Sequence, residues 1–301
     1  MELLLTNRYS TGLFLSLSHR TLHPRVSYPL EKLIAWTLML RKNSARRQAI
    51  RLNQQIIHEQ VLAPAELRQV EYNVQRHAVH CILDLYRNSK NLAALDVLFP
   101  TTPEMHALIE RSRQGRAGAV LVLPHLSNFD LALTAIARRG MRAQLISQAN
   151  PGMFYKFQNS IRVSSGLEVT PANEESYAQA IERLQNGGVV ITAVDRPLPG
   201  KRRTLNFFGQ QAPLPAGHVR LALTAEVPVI VMSIKMRADG TYRFNVSTPI
   251  PMQSHADYVT TVRRNAENVL AVIESHIRQA PEQWLMFYPL WEGVKESRLD
   301  S

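Results

Sequence analysis

From residue 116 onward, short apolar runs alternate with helix-period segments, and this alternation admits few architectures. Ala119–Leu123 is a run of five aliphatic residues stopped by Pro124, the pattern of a strand buried on both faces. Residues 129–139, closed by Gly140, have the spacing of a helix, with Ser127 or Asn128 as its N-cap. Further strands are expected at residues 142–148, 167–170, 189–194 and 205–208. Helices are expected at 151–165, ended by Gly166, from Asn173 to Gly187-Gly188, and at 215–225. Residues 227–235 and 241–246 flank Asp239-Gly240 as a hairpin, and a long helix covers 255–279. Repeated β–α–β units predict an α/β fold with a mainly parallel central sheet flanked by helices.

The chain before this region reads differently. Residues 28–115 carry helical spacing throughout, so 1–115 is expected to be an N-terminal helical region, membrane-proximal and packed on the 116–301 core. Pro29 and Glu31 open a helix with Leu33, Trp36 and Leu40, continuing to Ile50, Ile56 and Ile57. Its basic stretch, Arg41, Lys42, Arg46, Arg47 and Arg51, suits either a solvated face or a membrane surface. A second helix starts near Pro64, and a third has Thr102 as N-cap with Pro103 at its first position. No run of 18 or more apolar residues is present, and the first 17 residues are too interrupted for a secretory signal.

The formal charge is +11, which suits anionic lipid, phosphorylated substrates or nucleic acid. Neither zinc-finger spacing nor an RNA-binding aromatic motif is present, so nucleic acid is not expected as a partner. The single cysteine, Cys81, excludes an internal disulfide framework and a cysteine-rich metal site. No other convincing metal-ligand set is evident.

Two blocks carry candidate chemistry. His125 follows the 119–123 strand and Asp130 lies in the first turn of the next helix. A turn between them can fold the carboxylate back onto the imidazole, fixing its tautomer and strengthening it as a base. The bland alternative is a satisfied surface histidine, one of ten in the chain. The second block places Asp195 and Arg196 at the end of the 189–194 strand, followed by Lys201, Arg202 and Arg203. Parallel strands put such ends on one sheet edge, so both blocks can share a cleft. Arg196 and the basic loop suit phosphate or carboxylate, and an exposed basic loop or a structural cap at Asp195 is the alternative.

In order along the chain, Arg51-Leu52-Asn53, His125 to Asp130, Arg162 to Gly166, Asp195-Arg196, Phe207-Phe208-Gly209, Pro215-Ala216-Gly217, Ala238 to Tyr242, Pro281-Glu282-Gln283-Trp284 and Trp291 form a series. The series resembles the bacterial lipid A biosynthesis acyltransferases and the related phosphatidylinositol mannoside acyltransferases, within the glycerolipid superfamily marked by HxxxxD. The resemblance implies His125 as catalytic histidine, Asp130 as its acidic partner, Arg162 near the acyl carbonyl and Asp195 as the strand-end aspartate. It also implies an O-acyltransferase moving a fatty acyl chain from acyl-CoA or acyl carrier protein to a glycolipid hydroxyl. Such an enzyme needs no tightly bound cofactor and sits peripherally on the cytoplasmic face of the plasma (inner) membrane. Aspartate at position 130, where lipid A enzymes usually have glutamate, is closer to the mannoside-acylating branch. Leu290 stands where a basic residue is common, and the family's N-terminal spanning helix is weak here. The Pro-Glu-Gly box of glycerol-phosphate acyltransferases is absent. No Gly-x-Ser-x-Gly elbow points to a serine acyl-enzyme, so direct transfer with His125 as general base is expected. The rivals are acylation of a lysophospholipid or other small lipid, thioester hydrolysis, and a non-catalytic basic protein that binds membranes or nucleic acid. Phe154, Tyr155 and Phe157 suit an acyl tunnel or, more simply, core packing.

Overall fold

The computed structural model describes residues 24–41, 44–58, 61–197 and 204–291. Among the described residues five helices precede the sheet: α1 (Pro24–Met39), α2 (Ala45–Ile57), α3 (Pro64–Asn88), α4 (Leu92–Leu98) and α5 (Pro103–Arg113). The core follows as β1 (Ala119–Leu123), α6 (Phe129–Arg138), β2 (Ala143–Ser147), α7 (Met153–Ser165), β3 (Glu168–Pro171), α8 (Glu174–Gln185) and β4 (Val189–Ala193). It continues with β5 (Leu205–Phe207), β6 (Gln210–Ala212), α9 (Gly217–Ala225), β7 (Val229–Met236), β8 (Tyr242–Val246) and α10 (Tyr258–Arg278). A 3₁₀ turn, Pro281–Gln283, leads into the last described segment.

The main sheet has six strands in the order β3-β2-β4-β1-β7-β8, parallel except for β8, which pairs antiparallel with β7. The expected mainly parallel α/β architecture is the observed one. β1 is central and buried on both faces, which is why its sequence is aliphatic without alternation. Val120 and Val122 pack with α8, α9 and α10 on one face, while Leu121 and Leu123 pack with α4, α5 and α6 on the other.

The structure redraws several local expectations. The first N-terminal helix is two helices, because Ser44 caps α2 by accepting the N–H of Arg47 and interrupts the apolar spacing. α4 is a separate short helix capped by Asn91. The expected strand at 205–208 is half of a β5–β6 hairpin, turned by Phe208 and Gly209 at φ 53° and 71°.

The N-terminal helices are tied to the core and to each other by buried polar groups. Arg47 pairs with the fully buried Glu71 of α3, and Arg46 bonds Gln75 at 2.8 Å while its Cζ lies 3.4 Å from the Phe287 ring centre. Two members of the basic stretch are thus structural, whereas Arg41 is exposed and Lys42 lies outside the described residues. His80 of α3 meets Glu31 of α1 at 3.0 Å and Asp84 at 3.4 Å. Burial opposes its charge, but the two carboxylates overcome that and raise its pKa to about 9. This clamp turns Glu31 inward, while Leu33 and Trp36 on α1 and Leu40 just past its end remain exposed.

Candidate active site

The site forms where β1 and β4 end, the edge at which open α/β sheets bind ligands. Register pairs Leu123 with Ala193, so His125 and Asp195 each lie two residues beyond a directly paired couple. Neighbouring strands run about 4.8 Å apart. Side chains at matching positions past the strand ends can therefore touch. His125 Nδ1 is 2.7 Å from Asp195 Oδ1. Asp195 Oδ2 accepts the backbone N–H of His125 at 2.8 Å and the indole N–H of Trp284 at 2.7 Å.

Asp195 is fully buried. Burial alone would raise its pKa, but the electrostatic pull of the His125 ring and the hydrogen bonds from that ring, Trp284 and the His125 backbone hold it below the usual carboxylate range. An ionised acceptor at Nδ1 keeps the ring hydrogen there and leaves the lone pair on Nε2. Among the described residues nothing hydrogen-bonds Nε2. A cavity of about 30 Å³ adjoins the ring, lined by His125, Phe129, Leu133, Tyr155 and Arg162 among others.

The five-residue spacing predicts Asp130 as the imidazole's partner; the structure puts Asp195 there instead. The reason lies in the turn. Ser127 adopts φ 53° and its N–H donates to Gln283 O at 2.8 Å, while Asn128 caps α6 by accepting from Leu131 N. This path sets the Phe129 ring edge-on to His125, with centroids 4.9 Å apart. Asp130 turns toward α7. Its Oδ1 accepts two bonds from Arg162, one at 2.9 Å from Nε and a shorter one from Nη2, and its Oδ2 accepts Gln158 Nε2 at 2.7 Å. Arg162 is 3% exposed, and its Nη1 also donates to Asn159 at 2.6 Å. The HxxxxD carboxylate therefore holds the arginine, and the arginine shares the cavity with His125.

Arg196 has its guanidinium carbon 4.4 Å from the Tyr288 ring centre. Lys201, Arg202 and Arg203 lie outside the described residues. Of the aromatic trio, Tyr155 lines the cavity and Phe157 packs on Tyr86 at 5.3 Å, whereas the Phe154 side chain lies outside the description.

Two features escaped the sequence reading. Trp284 belongs to the motif series, yet nothing in its spacing marks it as a donor to Asp195. Ser127, at a strand–turn–helix bend, meets His77 Nε2 at 3.0 Å. Ser127 is fully buried, and burial lowers the His77 pKa to about 3. The pair is sealed from substrate and fixes the turn rather than forming a nucleophile.

The family model described as bacterial lipid A biosynthesis acyltransferase matches residues 89–293. A phosphatidylinositol mannoside acyltransferase of Mycobacterium tuberculosis (strain CDC 1551 / Oshkosh) is 27% identical over 186 residues, covering 60% of this chain and 57% of that protein. Another, of Mycolicibacterium smegmatis (strain ATCC 700084 / mc(2)155), is 25% identical over 178 residues, covering 58% and 57%. The chain spans a little over half the length of the curated relatives it matches.

Proposed function

The chain belongs to the bacterial lipid A biosynthesis acyltransferase family, and from that footing we propose that it transfers a fatty acyl group from acyl-CoA or acyl carrier protein to a glycolipid hydroxyl. The observation that carries the reading is the His125 ring, pinned through Nδ1 by Asp195 with Nε2 open beside Arg162. Nε2 takes the acceptor's hydroxyl proton as the oxygen attacks the thioester carbonyl. The new C–O bond forms, the C–S bond breaks, and the thiol leaves with the proton returned from Nε2. General base catalysis of this kind contributes about 10²–10⁴-fold. Asp195 stabilises the imidazolium that forms in between. The Arg162 guanidinium, held in place by Asp130, offsets charge developing on the carbonyl oxygen. Arg196 is suited to an anionic group on either substrate.

A peripheral seat on an anionic membrane fits the same reading. No helix of the described residues is long and apolar enough to cross a bilayer. Leu33 and Trp36 on α1 and Leu40 just past its end form an exposed apolar stripe, and the chain carries a formal charge of +11. Basic residues near anionic lipid contribute about 1 kcal/mol each. Such a stripe enters the interface sideways.

The test is a transfer assay with purified protein, radiolabelled acyl-CoA or acyl carrier protein, and anionic vesicles bearing a mannoside, a lipid A precursor or a lysophospholipid. The proposal expects label to move to a glycolipid, and expects L33S/W36S/L40S to lose vesicle co-sedimentation. Transfer only to lysophospholipid overturns the acceptor class. Fatty acid release independent of acceptor marks a hydrolase, and no turnover with salt-sensitive binding marks a non-catalytic protein.

A further inference from the structure

Residues 281–291 form a strap whose hydrogen bonds reach the His125 and Ser127 backbone, Asp195, the end of β7 and α2. Leu285 N donates to His125 O at 2.8 Å, and Ser127 N donates to Gln283 O at the same distance. Gln283 exchanges two side-chain bonds with the backbone of Met236, the last residue of β7. From α2, Asn53 donates to Met286 O at 3.3 Å and Tyr288 O at 2.9 Å, and Gln54 donates to Pro281 O at 2.8 Å. Within this strap the Trp284 ring is 1% exposed, between Phe207, Phe208 and Trp291. Its one polar atom ends on the carboxylate behind His125.

We propose that Trp284 is a positioning residue of the acyl-transfer site: its indole N–H aims Asp195 at His125 Nδ1, and the strap, fastened by Asn53 and Gln54, fixes that aim. This rests on the transfer reaction proposed above. Asp195 offers Oδ1 to the ring and Oδ2 to the indole and the His125 backbone N–H. A carboxylate held at both oxygens cannot rotate away when the imidazole becomes charged. The indole donor also contributes to keeping Asp195 ionised despite full burial. The charged and titratable groups around the relay are few. His125 comes from the end of β1 and Arg162 from α7, already held by Asp130 of α6. Arg196 follows Asp195 in the chain and is turned onto Tyr288.

The neighbouring Trp291 supplies a control. It is equally buried in the same aromatic cluster, but its indole nitrogen has no partner among the described residues. Trp284→Phe removes the donor and keeps an aromatic ring, while Trp291→Phe makes a similar packing change with no donor lost. Benzothienylalanine at position 284, with sulfur in place of N–H, keeps the shape almost unchanged and serves if the phenylalanine variant folds poorly.

The readout is the pH profile of transfer, with kcat and the donor KM separated. Losing the indole bond concentrates charge on Asp195 and favours the imidazolium, so the acid limb moves to higher pH. Without the indole, Asp195 is free to swing off Nδ1 and the ring loses its aim, so kcat falls about 10-fold or more, with donor KM unchanged. Both 284 variants are expected to show this, and Trp291→Phe to keep the wild-type limb. An acid limb left in place in both 284 variants, with wild-type enzyme active, overturns the proposal. A wild-type chain inactive on every donor and acceptor overturns the transfer reaction instead.

Discussion

Asp195→Asn is expected to lower kcat by about 10²–10⁴-fold with the fold intact, whereas Asp130→Asn, which acts only through Arg162, is expected to lose less. The amide keeps the size of the carboxylate but removes its charge. His125 Nδ1 then has no ionised acceptor, and the ring is free to carry its hydrogen on Nε2, which removes the base. Asp130 lies against Arg162 and Gln158, so its amide leaves the His125 tautomer untouched. Steady-state kinetics on both variants, with circular dichroism to confirm folding, checks the pair. Equal losses, or a larger loss at Asp130, would return the imidazole's support to the HxxxxD carboxylate.

The second large effect is on stability. Asp130→Ala leaves the buried Arg162 guanidinium without its counter-charge, a change that costs roughly 3–5 kcal/mol. Urea unfolding measures it directly through the midpoint at constant slope. The double variant D130L/R162L removes both charges and is expected to recover most of the loss, because neither ion is then stranded. A loss below about 1 kcal/mol for Asp130→Ala would mean that water reaches the guanidinium and that the pair is not the sealed unit described above.

The two experiments bear on how far the chain could be read by eye. The β1 run, the α6 cap and the later strand–helix alternation are legible because burial and capping act over a few residues. The position of His125 and Asp195 at strand ends was legible too. Their contact was not, since it depends on β4 lying beside β1 while β2, the next strand in sequence, lies beyond β4. Strand adjacency is a property of the whole sheet. Local spacing instead offered Asp130, and the left-handed turn at Ser127 defeated it. The strap carries no periodicity at all, so Trp284 could be matched to a family but not given a role. The basic stretch misled in a similar way: Arg46 and Arg47 look like a charged surface until Gln75, Phe287 and Glu71 are brought against them.

The proposed reaction depends above all on Nε2 of His125 accepting a proton. Its most direct measurement is the initial rate of acyl transfer by His125→Ala, beside wild type, on the best donor and acceptor found for the chain. The account predicts a rate reduced by about 10²–10⁴-fold, with the melting temperature and vesicle binding unchanged. A variant that still transfers within about tenfold of wild type would contradict it.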